Sequence, residues 1–254
     1  MNDLPVVNTS YEGKIDKRKK YYIVLDTETA NGIKEGEKLN LDFSLVYDCG
    51  FAVVDKTGKV YEMWSFINYD IFFGMSEIMK TCYYAEKLPQ YFDDLHESKR
   101  KITNTYGMKK ALKDTIEKFN ITVVACHNAR FDVKALNNTI RYTTSSKYRY
   151  FIPYNIEIWD TLKMSRDVIL KMPTYKMYVE WYNLKTPTGR TSATAESLYK
   201  FIAKEPNFVE SHTALEDVLI EKDILTYCLK QHKKMRKKLF ENTKKCWQKQ
   251  KVMI

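Results

Sequence analysis

No run of about 18 consecutive apolar residues occurs in this sequence, so a membrane-spanning helix is not expected. Its first ten residues, MNDLPVVNTS, lack the charged-then-apolar pattern of a secretory leader. No CxxC pair occurs either. The cysteines Cys49, Cys82, Cys126, Cys228 and Cys246 are odd in number and widely scattered, which indicates neither a disulfide framework nor a cysteine zinc site. A reducing, cytoplasmic setting fits these absences, with no membrane partner. No internal repeat is present, so a solenoid is not indicated.

What is present suits one large domain or a domain with an appendage: 254 residues, 44% of them hydrophobic, enough for a sizeable core. The net charge of +10 is unevenly placed. Residues 230–251 hold ten Lys or Arg against one acid, Glu241, which leaves the preceding body nearly neutral. A solvated helix face and a nucleic-acid contact are both consistent with such a run.

Residues 1–19 read as a flexible N-terminal segment, 20–230 as the main domain and 231–254 as a basic C-terminal helix or tail. Strand-like runs at 45–54 and 60–67 flank DKTGK, a turn containing Gly58, and predict a hairpin. Residues 70–100 look helical or irregular. Met108, Leu112, Ile116 and Phe119 recur at helical spacing. ITVVAC (121–126) and IEIW (156–159) read as strands, each followed by a helix, and Asp160 is placed to cap the second of these helices. Residues 171–193 read as one long polar loop, followed by helices near 194–203 and from 214 onward. This order implies a mixed sheet covered by helices.

Three stretches carry candidate chemistry. In YYIVLDTETANG, Asp26 and Glu28 leave a buried strand with one residue between them, so both side chains point to one face. Adjacent like charges raise each other's pKa, which suits either a solvated turn or a bound cation. In ACHNARFD, Asp132 begins a helix just after a strand. In SHTALEDVLIEKDIL, Thr213 and Glu216 form a capping box, T-x-x-E, which places His212 on the entering loop and Asp217 one turn inside the helix. If the four carboxylates converge, only cations make the arrangement tolerable. Oxygen ligands select Mg²⁺ or Mn²⁺, two such ions suit in-line displacement at a phosphodiester, and a neutral histidine can take the proton from the attacking water. Glu221 and Asp223 read as solvated helix charges, and His127 as a structural strand-end histidine.

Taken together and in this order, DTET, HNARFD and HTALED resemble the three motifs of the DEDDh exonuclease family, which includes the proofreading subunit of bacterial DNA polymerase III and RNA-trimming exonucleases. The tyrosine branch of the family carries Tyr four residues before its last Asp. Thr213 stands there and His212 lies one residue earlier, so the histidine branch fits. The resemblance implies a ribonuclease H-like α/β fold, a five-stranded mixed sheet flanked by helices. It implies that Asp26, Glu28 and Asp217 hold the ion carrying the nucleophilic water, that Asp26 bridges to a second ion near Asp132, and that His212 is the general base. Thr27 and Thr29, with Asn128 and Phe131 of the second motif, would meet the terminal nucleotide. The implied activity is 3′→5′ hydrolysis of single-stranded DNA or frayed 3′ ends to nucleoside 5′-monophosphates, with a DNA polymerase as a partner to consider. RNA is the alternative substrate, and a catalytically silent nucleic-acid-binding scaffold is the alternative class. KTPTGRTSATAESLY, together with ESHTALEDVLIEKDIL, is further similar to exonucleases encoded beside phage replication genes.

Overall fold

A computed structural model describes residues 8–30, 41–80, 82 and 84–240. Six strands are formed: β1 (Tyr21–Ala30), β2 (Leu45–Asp55), β3 (Val60–Asn68), β4 (Lys101–Thr103), β5 (Val123–Cys126) and β6 (Glu157–Asp160). They make one mixed sheet in the order β4-β3-β2-β1-β5-β6. β1, β2 and β3 are an antiparallel meander, β5 joins β1 in parallel, β6 joins β5 in parallel, and β4 lies parallel to the end of β3. The fold is therefore the mixed α/β arrangement expected, with six strands instead of five. The extra strand is β4. At three residues it is too short to show a period in the sequence.

The helices are α1 (Tyr69–Phe72), α2 (Ser76–Met79), α3 (Leu88–His96), α4 (Thr105–Phe119), α5 (Arg130–Thr144), α6 (Thr161–Asp167), α7 (Pro173–Trp181), α8 (Ala195–Ala203) and α9 (Ala214–Lys230). Strand alternation sorts them between the two faces of the sheet. Tyr21, Ile23 and Leu25 pack with Met108, Leu112, Ile116 and Phe119 of α4 and with Val133, Leu136 and Ile140 of α5. Tyr22 and Val24 pack on the other face, with Met164 of α6, Leu198 of α8, and Leu215, Val218 and Ile224 of α9. Each such buried side chain contributes about 1.5–3 kcal/mol relative to exposure. A third group, with Tyr47, Phe72 and Tyr91, lies under α1 to α3.

The segment 171–193, expected as one loop, opens with α7. Pro173 sits in its first turn, and Tyr175 and Val179, four residues apart, are buried. An apolar stripe of two residues is too brief to stand out among polar neighbours. Residues 8–19, expected to be loose, carry specific bonds. Thr9 pairs with Met63, Asn8 accepts from the Ser65 N–H at 2.8 Å, and the Tyr11 N–H donates to Glu62 at 3.1 Å. They cover the part of β3 that β4 leaves open. Beyond α9 the basic run is not helical over its described part. The Asp160 N–H donates to the Lys237 carbonyl at 2.7 Å and the Leu239 N–H to the Ile158 carbonyl at 2.9 Å, closing the outer edge of β6. Arg236 clamps Asp167 through two bonds of 2.8 and 3.0 Å. The remainder of that run, 241–254, lies outside the described residues, as do residues 1–7 of the N-terminal segment.

Candidate active site

The site forms where β1 ends. Asp26 and Glu28 continue the face of Tyr22 and Val24, which is covered by α9. Thr27 points the opposite way, is buried, and donates its hydroxyl to Asp132 Oδ1 at 2.9 Å. One strand thus supplies two carboxylates to one side and anchors a third, in the first turn of α5, from the other. Asn128 takes the left-handed conformation (φ 63°) in the turn before α5, where an asparagine is readily accommodated.

β2 brings the beginning of α9 to the same place. Gly50 lies opposite Asp26, and Asp48 opposite Glu28. A Cβ on Gly50 would stand 2.5 Å from the Leu215 backbone nitrogen, so the helix rests directly on the strand. Asp48 Oδ2 accepts from the Ala214 N–H at 3.0 Å, the Tyr91 hydroxyl at 2.9 Å and Arg100 Nη1 at 3.2 Å. Thr213 is the N-cap residue as expected, but its side chain makes no capping bond. Glu216, expected to complete the capping box, bonds Arg100 Nη2 at 3.2 Å. A charge-assisted bond to a buried guanidinium outcompetes a neutral backbone N–H. Asp48 and Arg100 lie outside all three motif stretches. An aspartate inside an otherwise apolar strand was the available signal for the first, and nothing local marks the second.

The result is convergence. Asp26, Glu28 and Asp217 each present an oxygen within 4.8 Å of the others. Asp132 is joined to them through Thr27. Glu221, expected to be solvated, is 3% exposed and accepts from the His127 backbone N–H at 3.1 Å. Its spacing of four from Asp217 puts both on one helix face, which is the signal that could have found it. His212 lies on the entering loop in the left-handed conformation (φ 52°). Its ring stacks on Tyr84 (centroids 4.4 Å apart, planes at 12°), and it groups with Glu196 and Glu210, not with the three carboxylates. Thr29 and Phe131 are partly buried and Asn128 is exposed. His127 uses both ring nitrogens, toward Thr161 Oγ1 and the Ala193 carbonyl, each at 2.9 Å. Asp160 caps α6, accepting from the Leu162 N–H at 3.0 Å.

Burial first, and neighbouring carboxylates second, hold these acids above their usual range. Asp26 is pushed up by burial and then by Glu221, Asp132, Glu28 and Asp217. Glu28 rises through burial and Asp48. Asp217 is pushed to about 10 by burial, Glu210 and Glu28. Asp132 reaches about 7 through burial, against the opposing Thr27 hydrogen bond. Glu210 also reaches about 7, through burial and Glu196. His212 is lowered by burial and by Lys87. So many acids crowded in a low-dielectric site are unfavourable unless cations neutralise them. Asp217 Oδ1, buried and without a hydrogen-bond partner, adds to that demand. The all-oxygen donor set fits a hard divalent cation.

No family model matches the sequence, and no curated protein matches it. Solved structures do. A full-length 3′-exonuclease matches at 11% identity with a TM-score of 0.53, over 88% of each chain. The zinc-bound form of an E. coli ExoI–single-stranded DNA complex matches at 17% identity with a TM-score of 0.50, over 83% of this chain and 40% of that one. At these identities the likeness is one of fold, and this chain has the ribonuclease H-like mixed α/β fold of those exonucleases.

Proposed function

We propose that the protein is a metal-dependent 3′→5′ exonuclease of the DEDDh type acting on DNA. The observation that carries this reading is the meeting of Asp26, Glu28 and Asp217 within 4.8 Å, with Asp132 tied in by Thr27. Asp26, Glu28 and Asp217 would hold one Mg²⁺ or Mn²⁺, and Asp26 with Asp132 a second. When bound, such ions stabilise the charge that develops on a phosphodiester and acidify a water. The chain's own groups do the rest. Burial and Lys87 favour the neutral His212 ring, which is the form able to accept the proton of an attacking water. In this state the ring rests beside Glu196 and Glu210, so the substrate-bound state has to bring it over the carboxylates. Thr29, Asn128, Phe131 and the Thr27 backbone would meet the terminal nucleotide.

The motifs are shared by DNA- and RNA-cleaving members of the family and do not separate the two substrates; DNA is favoured because one structural neighbour is a complex with single-stranded DNA. A DNA polymerase is the matching partner, and the cytoplasm the matching setting. A silent scaffold is disfavoured, since crowded buried acids destabilise a fold that has no use for a metal. We assign residues 20–230 to catalysis and the basic run 231–254 to phosphate contact. Binding of a long single strand across a salt series, full-length against a chain ending at Phe240, checks the second assignment. Equal slopes would remove the assignment for 241–254 and leave phosphate contact, if any, to the basic residues of 231–240.

The main test compares labelled single-stranded DNA, duplex, mismatched 3′ ends and RNA, with Mg²⁺ and with EDTA. Asp26→Ala should abolish hydrolysis. His212→Ala should slow it by about 10²–10⁴-fold while leaving Mn²⁺ binding by calorimetry unchanged. Hydrolysis that survives EDTA, or an active Asp26→Ala variant, would refute the reading.

A further inference from the structure

Glu221 has a place in this site that none of the three sequence motifs describes. It lies on α9 one turn beyond Asp217, so the two carboxylates share a helix face. It is 3% exposed, and its Oε2 accepts from the His127 backbone N–H at 3.1 Å, across 94 residues of sequence. His127 opens the turn that leads into α5 and Asp132. The His127 ring pins the same turn from its other side, to Thr161 and the Ala193 carbonyl. One hydrogen bond, donated by the His127 N–H to Glu221, therefore joins the helix bearing Asp217 to the turn that sets Asp132.

Hydrogen bonding alone does not account for a carboxylate here. A glutamine would accept from the same N–H and bring no charge. Among the described residues no Lys, Arg or His forms an ion pair with Glu221. The charged groups that act on it most strongly are Asp132, Asp217 and Glu210, and it acts in turn on Asp26, all of its own sign. Burial, Asp132 and Asp217 push its carboxyl well above the usual range, and the charge that would keep it ionised is that of cations held by the neighbouring acids. Glu221 itself stands outside the close set of Asp26, Glu28 and Asp217, and one of its oxygens is already committed. Groups that orient metal ligands in this way are worth about 10–100-fold in metal affinity or activity.

We infer that Glu221 is a positioning residue for the divalent-metal site, locking Asp217 and Asp132 at a fixed separation through the His127 N–H and adding negative charge that tightens metal binding. The inference rests on the metal-site reading given above.

The test is Mn²⁺ calorimetry without nucleic acid, on the full chain and on Glu221→Gln and Glu221→Leu. Glu221→Gln keeps an acceptor for His127 and removes the charge. Its Mn²⁺ affinity should fall by about 10–100-fold, while its metal-free melting temperature at pH 8 equals or exceeds that of the parent chain. The Mg²⁺ concentration for half-maximal hydrolysis should rise in proportion, with the rate recovering at saturating Mg²⁺. Glu221→Leu, losing the tie as well, should lose more affinity and not recover its rate. Unchanged Mn²⁺ affinity in Glu221→Gln would overturn the inference and leave Glu221 as a structural acceptor only. A parent chain that binds Mn²⁺ but hydrolyses no nucleic acid would sink the proposed function and leave this inference standing. A parent chain that binds no Mn²⁺ would overturn both.

Discussion

Replacing Arg100 by methionine removes the group that holds the beginning of α9 to the sheet. Its side chain is 1% exposed and bonds Asp94 at 2.8 Å, Asp48 and Glu216 at 3.2 Å each, and Ser65 Oγ at 3.0 Å, with the guanidinium 4.8 Å from the Tyr91 ring centre. Asp48 is fully buried, and its Oδ1 already lacks a partner. Without Arg100 it would keep only the Tyr91 hydroxyl and the Ala214 N–H. Removing one member of a buried ion pair costs about 3–5 kcal/mol, because the remaining charge is left uncompensated. The Glu216 arm is a quarter exposed and adds little to that figure. Against a total stability of about 5–15 kcal/mol this is severe. At roughly 2–4 °C per kcal/mol for a chain of this size, the melting temperature should fall by about 6–20 °C. Asp48 can relieve part of the loss by taking up a proton, so the defect should grow from pH 5 to pH 8. Urea and thermal denaturation followed by circular dichroism measure both effects. Arg100→Met combined with Asp48→Asn should recover part of the loss, since the orphaned charge is gone. A loss below about 1 kcal/mol in the single variant, or no recovery in the double, would refute the reasoning.

Two further outcomes follow from the site's geometry and charge. Asp132 is held at about 7 and Asp217 at about 10 in the fold, above their ordinary carboxylate values. A raised folded pKa stabilises below the unfolded value and is lost as pH rises through the folded one, so the metal-free protein should lose stability from about pH 4 upward. Mn²⁺ should therefore raise the melting temperature more at pH 8 than at pH 5.5, and a pH-independent melting temperature without metal would contradict this. Gly50→Ala would place a methyl group 2.5 Å from the Leu215 nitrogen and 2.6 Å from the Ala214 carbonyl carbon, both backbone atoms of α9. It should cost about 1–3 kcal/mol by chemical denaturation and reduce hydrolysis by shifting Asp217, and a neutral effect on both would show that α9 does not rest there.

Local order in the sequence determined a large part of this molecule. The alternation in β1 put Asp26 and Glu28 on one face, the stripe of Met108, Leu112, Ile116 and Phe119 marked α4, the DKTGK turn joined β2 to β3, and Asp160 capped α6. In each case the partners lie within one element or one turn, so spacing alone carries the information. Tertiary structure decided the rest. β4 exists because a parallel neighbour, β3, supplies its hydrogen bonds, and α7 because two side chains find a core. Glu216 left its capping box because Arg100, far away in sequence, came within reach. Asp48 met the Ala214 N–H across 166 residues, and Glu221 met the His127 N–H across 94. No period or spacing records such encounters. They arise when the hydrophobic faces of separate elements close on one sheet and carry their polar residues with them, and the charge on a carboxylate is then set by what it is buried beside.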